Sequence, residues 1–320
     1  MENLKGKTAF ITGGASGLGL GMAKAFANDG MNVILVDFRQ KAIDEALTYF
    51  AEKGLPAKGL QLDVTDRAAY EKAAVEAEAM FGKIHVLVNN AGIGIPEGPL
   101  YTDKWEDIDL AVDVNYKGVL NGVKIILPLI MKHGEGGHVV STASKAALVP
   151  VPGFTLYNSL KMAVCTAMET LACDMKQHNI GASTFFPGPF MTNLGASSGE
   201  VRAKHLGIEV PQMPPMRPAP AKDGEAAPPP PPMPAFDMSK IMRDPLEAGE
   251  RVLRGIKRND LYIMSHVDFK EGWVARAEAI EKCFPDEKPT EGFKQIFSML
   301  AYNPIFEPQT QVPPLTGYEK

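Results

Sequence analysis

Six short apolar runs, at residues 8–11, 33–36, 59–62, 85–88, 138–140 and 182–186, alternate along this chain with longer stretches of helical periodicity. No other feature narrows the fold as much. Strands separated by helices return to one sheet through right-handed crossovers, which makes the strands parallel and puts helices on both faces. The alternation predicts a doubly wound α/β domain with a mostly parallel sheet. A seventh strand, 261–264, follows a helix expected over 245–257. With 320 residues, 45% of them hydrophobic, the chain can bury one large core, so the reading is one elaborated domain rather than two.

Between the sixth strand and that helix the composition changes abruptly. Residues 211–234 include Met213-Pro214-Pro215-Met216 and a run of prolines at 228–232, which lack backbone donors and favour extended polyproline geometry. A stretch of that length within a compact domain reads as a lid over a cleft or as a passive insertion. Beyond the seventh strand, helices are expected over 269–283 and 291–300. Phe293, Phe297, Tyr302 and Phe306 would give this extension an apolar face for docking on its own subunit or a neighbour's. The organisation is therefore a core over 1–194, a proline-rich lid or insertion over 195–240, the end of the core over 241–265 and a helical extension over 266–320.

Charge and cysteine usage exclude several classes of partner. The net charge is −5, and lysines and arginines are scattered without a basic stripe, which argues against nucleic acid. The first residues lack the apolar core of a signal peptide, and no run approaches the roughly 20 apolar residues of a membrane span. A cytoplasmic protein without a membrane partner is expected. Cys165, Cys173 and Cys283 have neither metal-ligand nor redox spacing and read as reduced thiols, so no metal is expected.

The first strand runs into Thr12-Gly13-Gly14-Ala15-Ser16-Gly17-Leu18-Gly19, with a helix pattern behind it. Glycines there let backbone approach a pyrophosphate, which sits against the amide donors and positive end of the helix. A glycine turn with a purely structural role would look similar. Asp37, at the end of the second strand, can accept hydrogen bonds from both hydroxyls of an adenosine ribose and would repel a ribose phosphate. It can equally cap the next helix. NAD is thereby favoured over NADP, with Arg39 close enough to bear on the choice.

Tyr157 and Lys161 stand one helical turn apart, so phenol and ammonium can face one cavity. A nearby cation favours the ionised phenol, which suits a group exchanging a proton with an alcohol or ketone. Ser144 lies thirteen residues before Tyr157, with Ser141 competing for the same role.

Taken in order, the glycine loop, Asp63-Val64, Asn89-Asn90-Ala91-Gly92, Asn115, Ser144, Tyr157, Lys161 and Pro187-Gly188-Pro189 resemble the short-chain dehydrogenase/reductase family over residues 5 to about 194. The resemblance implies a seven-stranded Rossmann sheet and assigns roles by position. Tyr157 becomes the general acid/base, Ser144 the hydroxyl that orients substrate oxygen, and Lys161 the ribose ligand that lowers the Tyr157 pKa. Asn115 would hold a relay water. Gly13, Ser16, Gly17, Leu18, Gly19 and Asp37 would bind NAD, Asp63 and Val64 would contact adenine, Asn89, Asn90, Ala91 and Gly92 would line the cleft, and Pro187, Gly188 and Thr192 would meet the nicotinamide end. It also implies a homodimer or homotetramer formed through helices around 104–132 and 154–177.

The chain departs from the family at Lys145-Ala146-Ala147, where a glycine is common, and in its long insertion and extension. Residues 261–264 and Glu271-Gly272 are loosely similar to bacterial members that oxidise the benzylic Cα alcohol of lignin-derived aryl ethers. The resulting expectation is an NAD-dependent enzyme interconverting a secondary alcohol and a ketone on a bulky apolar or aromatic small molecule. Met191, Leu194, Met213, Met216, Val149, Val151 and Phe154 are candidate pocket residues. The alternatives are a member acting on a steroid, sugar alcohol or acyl thioester, and a non-catalytic nucleotide-sensing scaffold.

Overall fold

Each expected strand forms, within two residues at either end, in a computed structural model that describes residues 1–95, 98–208, 241–298 and 302–318. The strands are β1 (Thr8–Thr12), β2 (Asn32–Asp37), β3 (Ala57–Gln61), β4 (Val86–Asn89), β5 (Gly137–Thr142), β6 (Ile180–Phe186) and β7 (Tyr262–Met264). All pair in parallel, in the order β3-β2-β1-β4-β5-β6-β7. The chain winds outward from β1 toward β3, then crosses back to lay β4 on the other side of β1. That reversal opens a crevice beyond the carboxyl ends of β1 and β4, where this class of sheet binds ligands.

Helices cover both faces, which is why the central strands are apolar throughout rather than alternating. On one face α1 (Gly17–Asn28), α2 (Gln40–Glu52) and a later helix over Pro245–Arg258 bury Phe26, Ile43, Phe50 and Val252 against Ile11, Leu35 and Val88. On the other, α3 (Arg67–Phe81), α4 (Trp105–Val112), α5 (Gly118–Lys132) and α7 (Thr155–Met175) bury Tyr70, Leu110, Ile126 and Met168 against Phe10, Ile34 and Leu87. The short α6 (Lys145–Leu148) lies between β5 and α7, and α8 (Leu194–Leu206) follows β6. The proline-rich residues 211–234, with Met213 and Met216, lie outside the described residues. No described helix is long and apolar enough to cross a membrane.

The Pro245–Arg258 helix, α9, starts cleanly because Asp244 accepts a hydrogen bond from the Leu246 amide at 2.7 Å and Pro245 occupies the first turn. It lies unusually close to α1. A Cβ on Gly21 would stand 2.0 Å from the Pro245 carbonyl, and one on Gly249 would stand 2.3 Å from the Gly21 carbonyl. Two glycines thus bring two backbones together. Buried Glu247 is held between Arg243 and Arg251, which compensates its charge there.

The extension contains α10 (Lys270–Glu281), close to the expected 269–283. Of the helix expected over 291–300, the described residues form one turn, α11 (Phe293–Ile296), after Gly292 at φ 77° and before an interruption at Phe297; residues 299–300 lie outside the described residues. Ile296 is 74% exposed, and so short a helix needs packing that this segment lacks. Farther on, the extension docks on its own subunit. Phe306 stacks on Tyr262 of β7 at 6.4 Å, and the Gln309 side chain accepts from the Leu261 amide at 2.9 Å. Arg254 reaches the Pro313 carbonyl at 2.8 Å, so the segment runs along the β7 edge and over α9.

The glycine contact gives a direct stability test. Gly249→Val should destabilise the protein by about 1–3 kcal/mol in urea unfolding, since the added atoms meet α1 backbone that cannot yield.

Candidate active site

The crevice at the β1/β4 reversal is lined by most of the residues singled out in the sequence and encloses about 350 Å³. Its floor is the glycine loop. Gly13 and Gly17 adopt φ of 62° and 50°, and a Cβ on Gly19 would lie 2.0 Å from the Gly13 carbonyl, so the tight turn into α1 admits no larger residue. Gly19 itself sits beneath the loop and does not line the cleft. Thr12 ties the loop to the neighbouring turn: its hydroxyl accepts from the amides of Asn90 at 2.9 Å and Ala91 at 3.0 Å. Asn90, Ala91 and Gly92 line the cleft as expected. Asn89 does not; its side chain points into the sheet and donates to Ser141 at 3.3 Å, which also removes Ser141 from competition with Ser144.

At one end of the cleft stand Asp37, Asp63 and Val64. Arg39 binds the Asp37 carboxylate through Nε at 3.1 Å and Nη2 at 3.3 Å, and Nη2 also donates to the Ser16 hydroxyl at 2.8 Å. Asp63 accepts from the Thr65 hydroxyl at 2.8 Å and from Lys204 at 3.0 Å, with His205 at 2.8 Å. Burial pushes the Asp63 carboxyl up, but the Thr65 and Lys204 hydrogen bonds outweigh it and hold the pKa at about 2.

Lys204 and His205 belong to α8, which crosses the cleft within the 195–240 stretch expected to be a lid or insertion. Ser198 accepts from the Gly94 amide at 2.8 Å, and Arg202 grips Asp107 of α4 with two bonds of 2.8 and 2.9 Å. Leu194, Ser197, Val201 and His205 line the cleft.

At the other end, Pro187, Gly188, Phe190 and Thr192 line the cleft, and the Gly188 amide donates to Ser265 at 2.9 Å. Ser144 caps α6, accepting from the Ala146 amide at 3.2 Å, and its hydroxyl stands beside the Tyr157 phenol. Burial raises the Tyr157 pKa, and the Ser144 hydroxyl opposes that rise. Lys161 is 5% exposed; its ammonium donates to the Thr142 carbonyl at 3.0 Å and lies 5.6 Å from the Tyr157 ring centre. Burial lowers Lys161 itself to about 8.

Asn115 sits in a π-helical turn, Asp113–Lys117, between α4 and α5. Such turns often mark functional sites. Its Oδ1 accepts from the Ile93 amide at 2.9 Å and its Nδ2 donates to the Ile93 carbonyl at 3.1 Å. Each polar atom of the side chain thus has a partner on Ile93, which ties the π turn to the loop after β4. A Cβ on Gly92 would lie 2.9 Å from Asn115 Oδ1 and 3.6 Å from Lys161 Nζ, so the glycine keeps the space between them clear.

Of the apolar pocket candidates, Leu194 lines the cleft and Met191 is half-exposed beside it. Val149 contacts Gly272 of α10, and Arg276 of the same helix donates to the Ala147 and Leu148 carbonyls at 2.8 and 3.0 Å. The extension therefore braces the loop that follows Ser144. Far from this cleft, His85, His133 and Glu135 form a cluster with metal-ligand types. Thr8 donates to His85 Nδ1 at 3.1 Å, the Glu135 amide donates to His133 Nδ1 at 3.1 Å, and Lys7 and Lys83 bind the carboxylate, so the cluster is a hydrogen-bonded knot.

The cleft suits a dinucleotide: glycines permit close backbone approach, a helix amino terminus faces it, and carboxylates stand at one end with hydroxyls and a lysine at the other. A family model described as short chain dehydrogenase matches residues 7–203. The chain is 29% identical over 299 residues to a C alpha-dehydrogenase of Sphingobium sp. strain SYK-6, covering 92% of each. A diacetyl reductase, (S)-acetoin forming, of Staphylococcus aureus is 33% identical over 202 residues, 62% of this chain and 78% of that one. Among solved structures, a short-chain dehydrogenase/reductase from Burkholderia phymatum in complex with NAD is similar at a TM-score of 0.74 and 27% identity, covering 91% of this chain and all of that one.

The depressed Lys161 pKa carries a signed consequence. The folded state holds this ammonium less readily than the unfolded chain, so its burial penalty is present below pH 8 and is relieved as pH rises from about 8 toward the ordinary lysine value. The unfolding free energy of wild type minus that of Lys161→Met should therefore rise by about 2 kcal/mol between pH 7.5 and 10 in urea titrations.

Proposed function

The chain belongs to the short-chain dehydrogenase family, and from that premise we propose that it is an NAD-dependent oxidoreductase interconverting a secondary alcohol and a ketone on a bulky apolar or aromatic substrate. It is a dehydrogenase/reductase enzyme. The observation that carries the reading is the Ser144–Tyr157 hydroxyl pair beside buried Lys161, all facing the one cleft built at the sheet reversal.

Bound nicotinamide supplies the hydride acceptor or donor. The protein supplies the rest. Ser144 and Tyr157 hold the substrate oxygen, and fixed donors aimed at it stabilise the charge that develops there. In oxidation the Tyr157 oxygen takes the hydroxyl proton; in reduction it returns one. Because burial holds the phenol protonated, the Ser144 hydroxyl is the local group that favours its ionised form. Lys161 adds a cation within the same dry space and a donor for a ribose.

NAD rather than NADP is supported by the Asp37 carboxylate at the far end and by the Burkholderia relative's complex with NAD. A bulky or aromatic substrate is supported by the C alpha-dehydrogenase, whose similarity covers 92% of the chain and so reaches into the extension, whereas the match to the diacetyl reductase spans only 62%. The packing of α10 against the Ala147–Val149 segment makes the extension part of that side of the site. A homodimer or homotetramer belongs to the same proposal, supported by Trp105, 76% exposed on α4, and Leu120, exposed on α5. The three free thiols agree with a reducing, cytoplasmic setting.

The test is NADH formation by wild type and Tyr157→Phe across secondary alcohols from small aliphatic to bulky aryl carbinols, with NADP in parallel. Turnover is expected to favour NAD and the aryl carbinols and to fall at least ~100-fold in Tyr157→Phe while NAD still binds. Turnover of the small alcohols alone would overturn the substrate class, and equal rates for the two enzymes would overturn the mechanism.

A further inference from the structure

The guanidinium of Arg39 has three nitrogens, and their partners differ in kind. Nε and Nη2 are held by Asp37, and Nη2 also reaches Ser16. Nη1 is the nitrogen these two leave over, and the carboxylate facing it, at 3.6 Å, is Glu200 of α8. Arg39, Asp37 and Ser16 all line the end of the cleft where an adenosine ribose is expected.

An arginine beside a serine hydroxyl at such a place is a ready-made ligand for a ribose 2′-phosphate, since the planar fork matches phosphate geometry. Here it is already satisfied. Two carboxylates surround one guanidinium, leaving the subsite net negative, and the side of the fork that Asp37 cannot reach is covered from α8. The other nearby cation, Lys204 over the Phe38 ring, is bound to Asp63 and adds no uncompensated positive charge.

Glu200 is 47% exposed, so its position depends on the helix that carries it. Ser198, Arg202, Lys204 and His205 pin that helix to Gly94, Asp107 and Asp63 around it. We propose that Glu200 is a cofactor-discriminating residue: with Asp37 it occupies the Arg39 fork, so that the site accepts a ribose bearing a 2′-hydroxyl and rejects one bearing a 2′-phosphate. This rests on the NAD reading above and deepens it by making the covering helix, as well as the β2 carboxylate, responsible for the choice.

Removing the Glu200 charge frees Nη1 and neutralises the subsite. The experiment is calorimetric or fluorescence titration of NAD and NADP into wild type, Glu200→Gln, and Glu200→Gln combined with Arg39→Met. Adenosine 2′,5′-bisphosphate and adenosine 5′-monophosphate serve as probes that lack nicotinamide. In Glu200→Gln the ratio of NADP to NAD dissociation constants should fall about tenfold, and the paired adenosine nucleotides should show the same shift. Without Arg39 that fall should vanish. A fall below twofold in Glu200→Gln, or an equal fall without Arg39, overturns the inference while wild-type preference for NAD leaves the cofactor reading standing. Wild type binding NADP as tightly as NAD would instead overturn the cofactor reading itself.

Discussion

One hydroxyl joins the two halves of the cleft. Thr12 receives the amides of Asn90 and Ala91, so the loop after β1 and the turn after β4 cannot move independently. Two residues on, Ile93 is clamped by both polar atoms of Asn115, and Gly92 leaves the gap that separates Asn115 from the Lys161 ammonium. The glycine loop, the β4 turn and the π turn are thereby registered through short polar links. Hydride transfer tolerates little error in the distance between two bound molecules. A site assembled from loops needs such cross-bracing to be as rigid as the sheet beneath it.

The charged part of the site is held at a cost to folding. Tyr157 and Lys161 are both shifted by burial toward their neutral forms, with Ser144 and the Thr142 carbonyl offering partial compensation. Burying polar groups that a folded chain does not need is a recurring signature of function. Contrast Glu247, equally buried but gripped by two arginines, which joins α9 to its surroundings and does no chemistry. Burial alone does not separate the two cases; an incompletely compensated charge facing a cavity does.

Much of this was legible beforehand because it is written in local chemistry. Strand runs of Val, Ile and Phe needed no tertiary information, and the positive-φ positions at Gly13 and Gly17 are where glycine was seen. Tyr157 and Lys161 face one cavity because helical spacing forces it. What escaped was decided by long-range contacts. The side chain of Asn89 turned inward to Ser141, Asn115 spent its amide on Ile93, and α8 closed over the cleft through ion pairs between residues some 95 to 140 positions apart. The helix expected over 291–300 is interrupted for the opposite reason: its periodicity is present, but Gly292 and Phe297 confine α11 to one turn with Ile296 exposed.

The strap that crosses β7 also shields the edge of the sheet. A parallel sheet with a bare edge offers a row of unpaired amides and carbonyls to any extended chain nearby. Here the Leu261 amide is taken by Gln309 and the Tyr262 ring is roofed by Phe306, both more than forty residues downstream. A chain lacking the strap would keep the sheet and lose its cover, so that the exposed flank could pair with another extended segment.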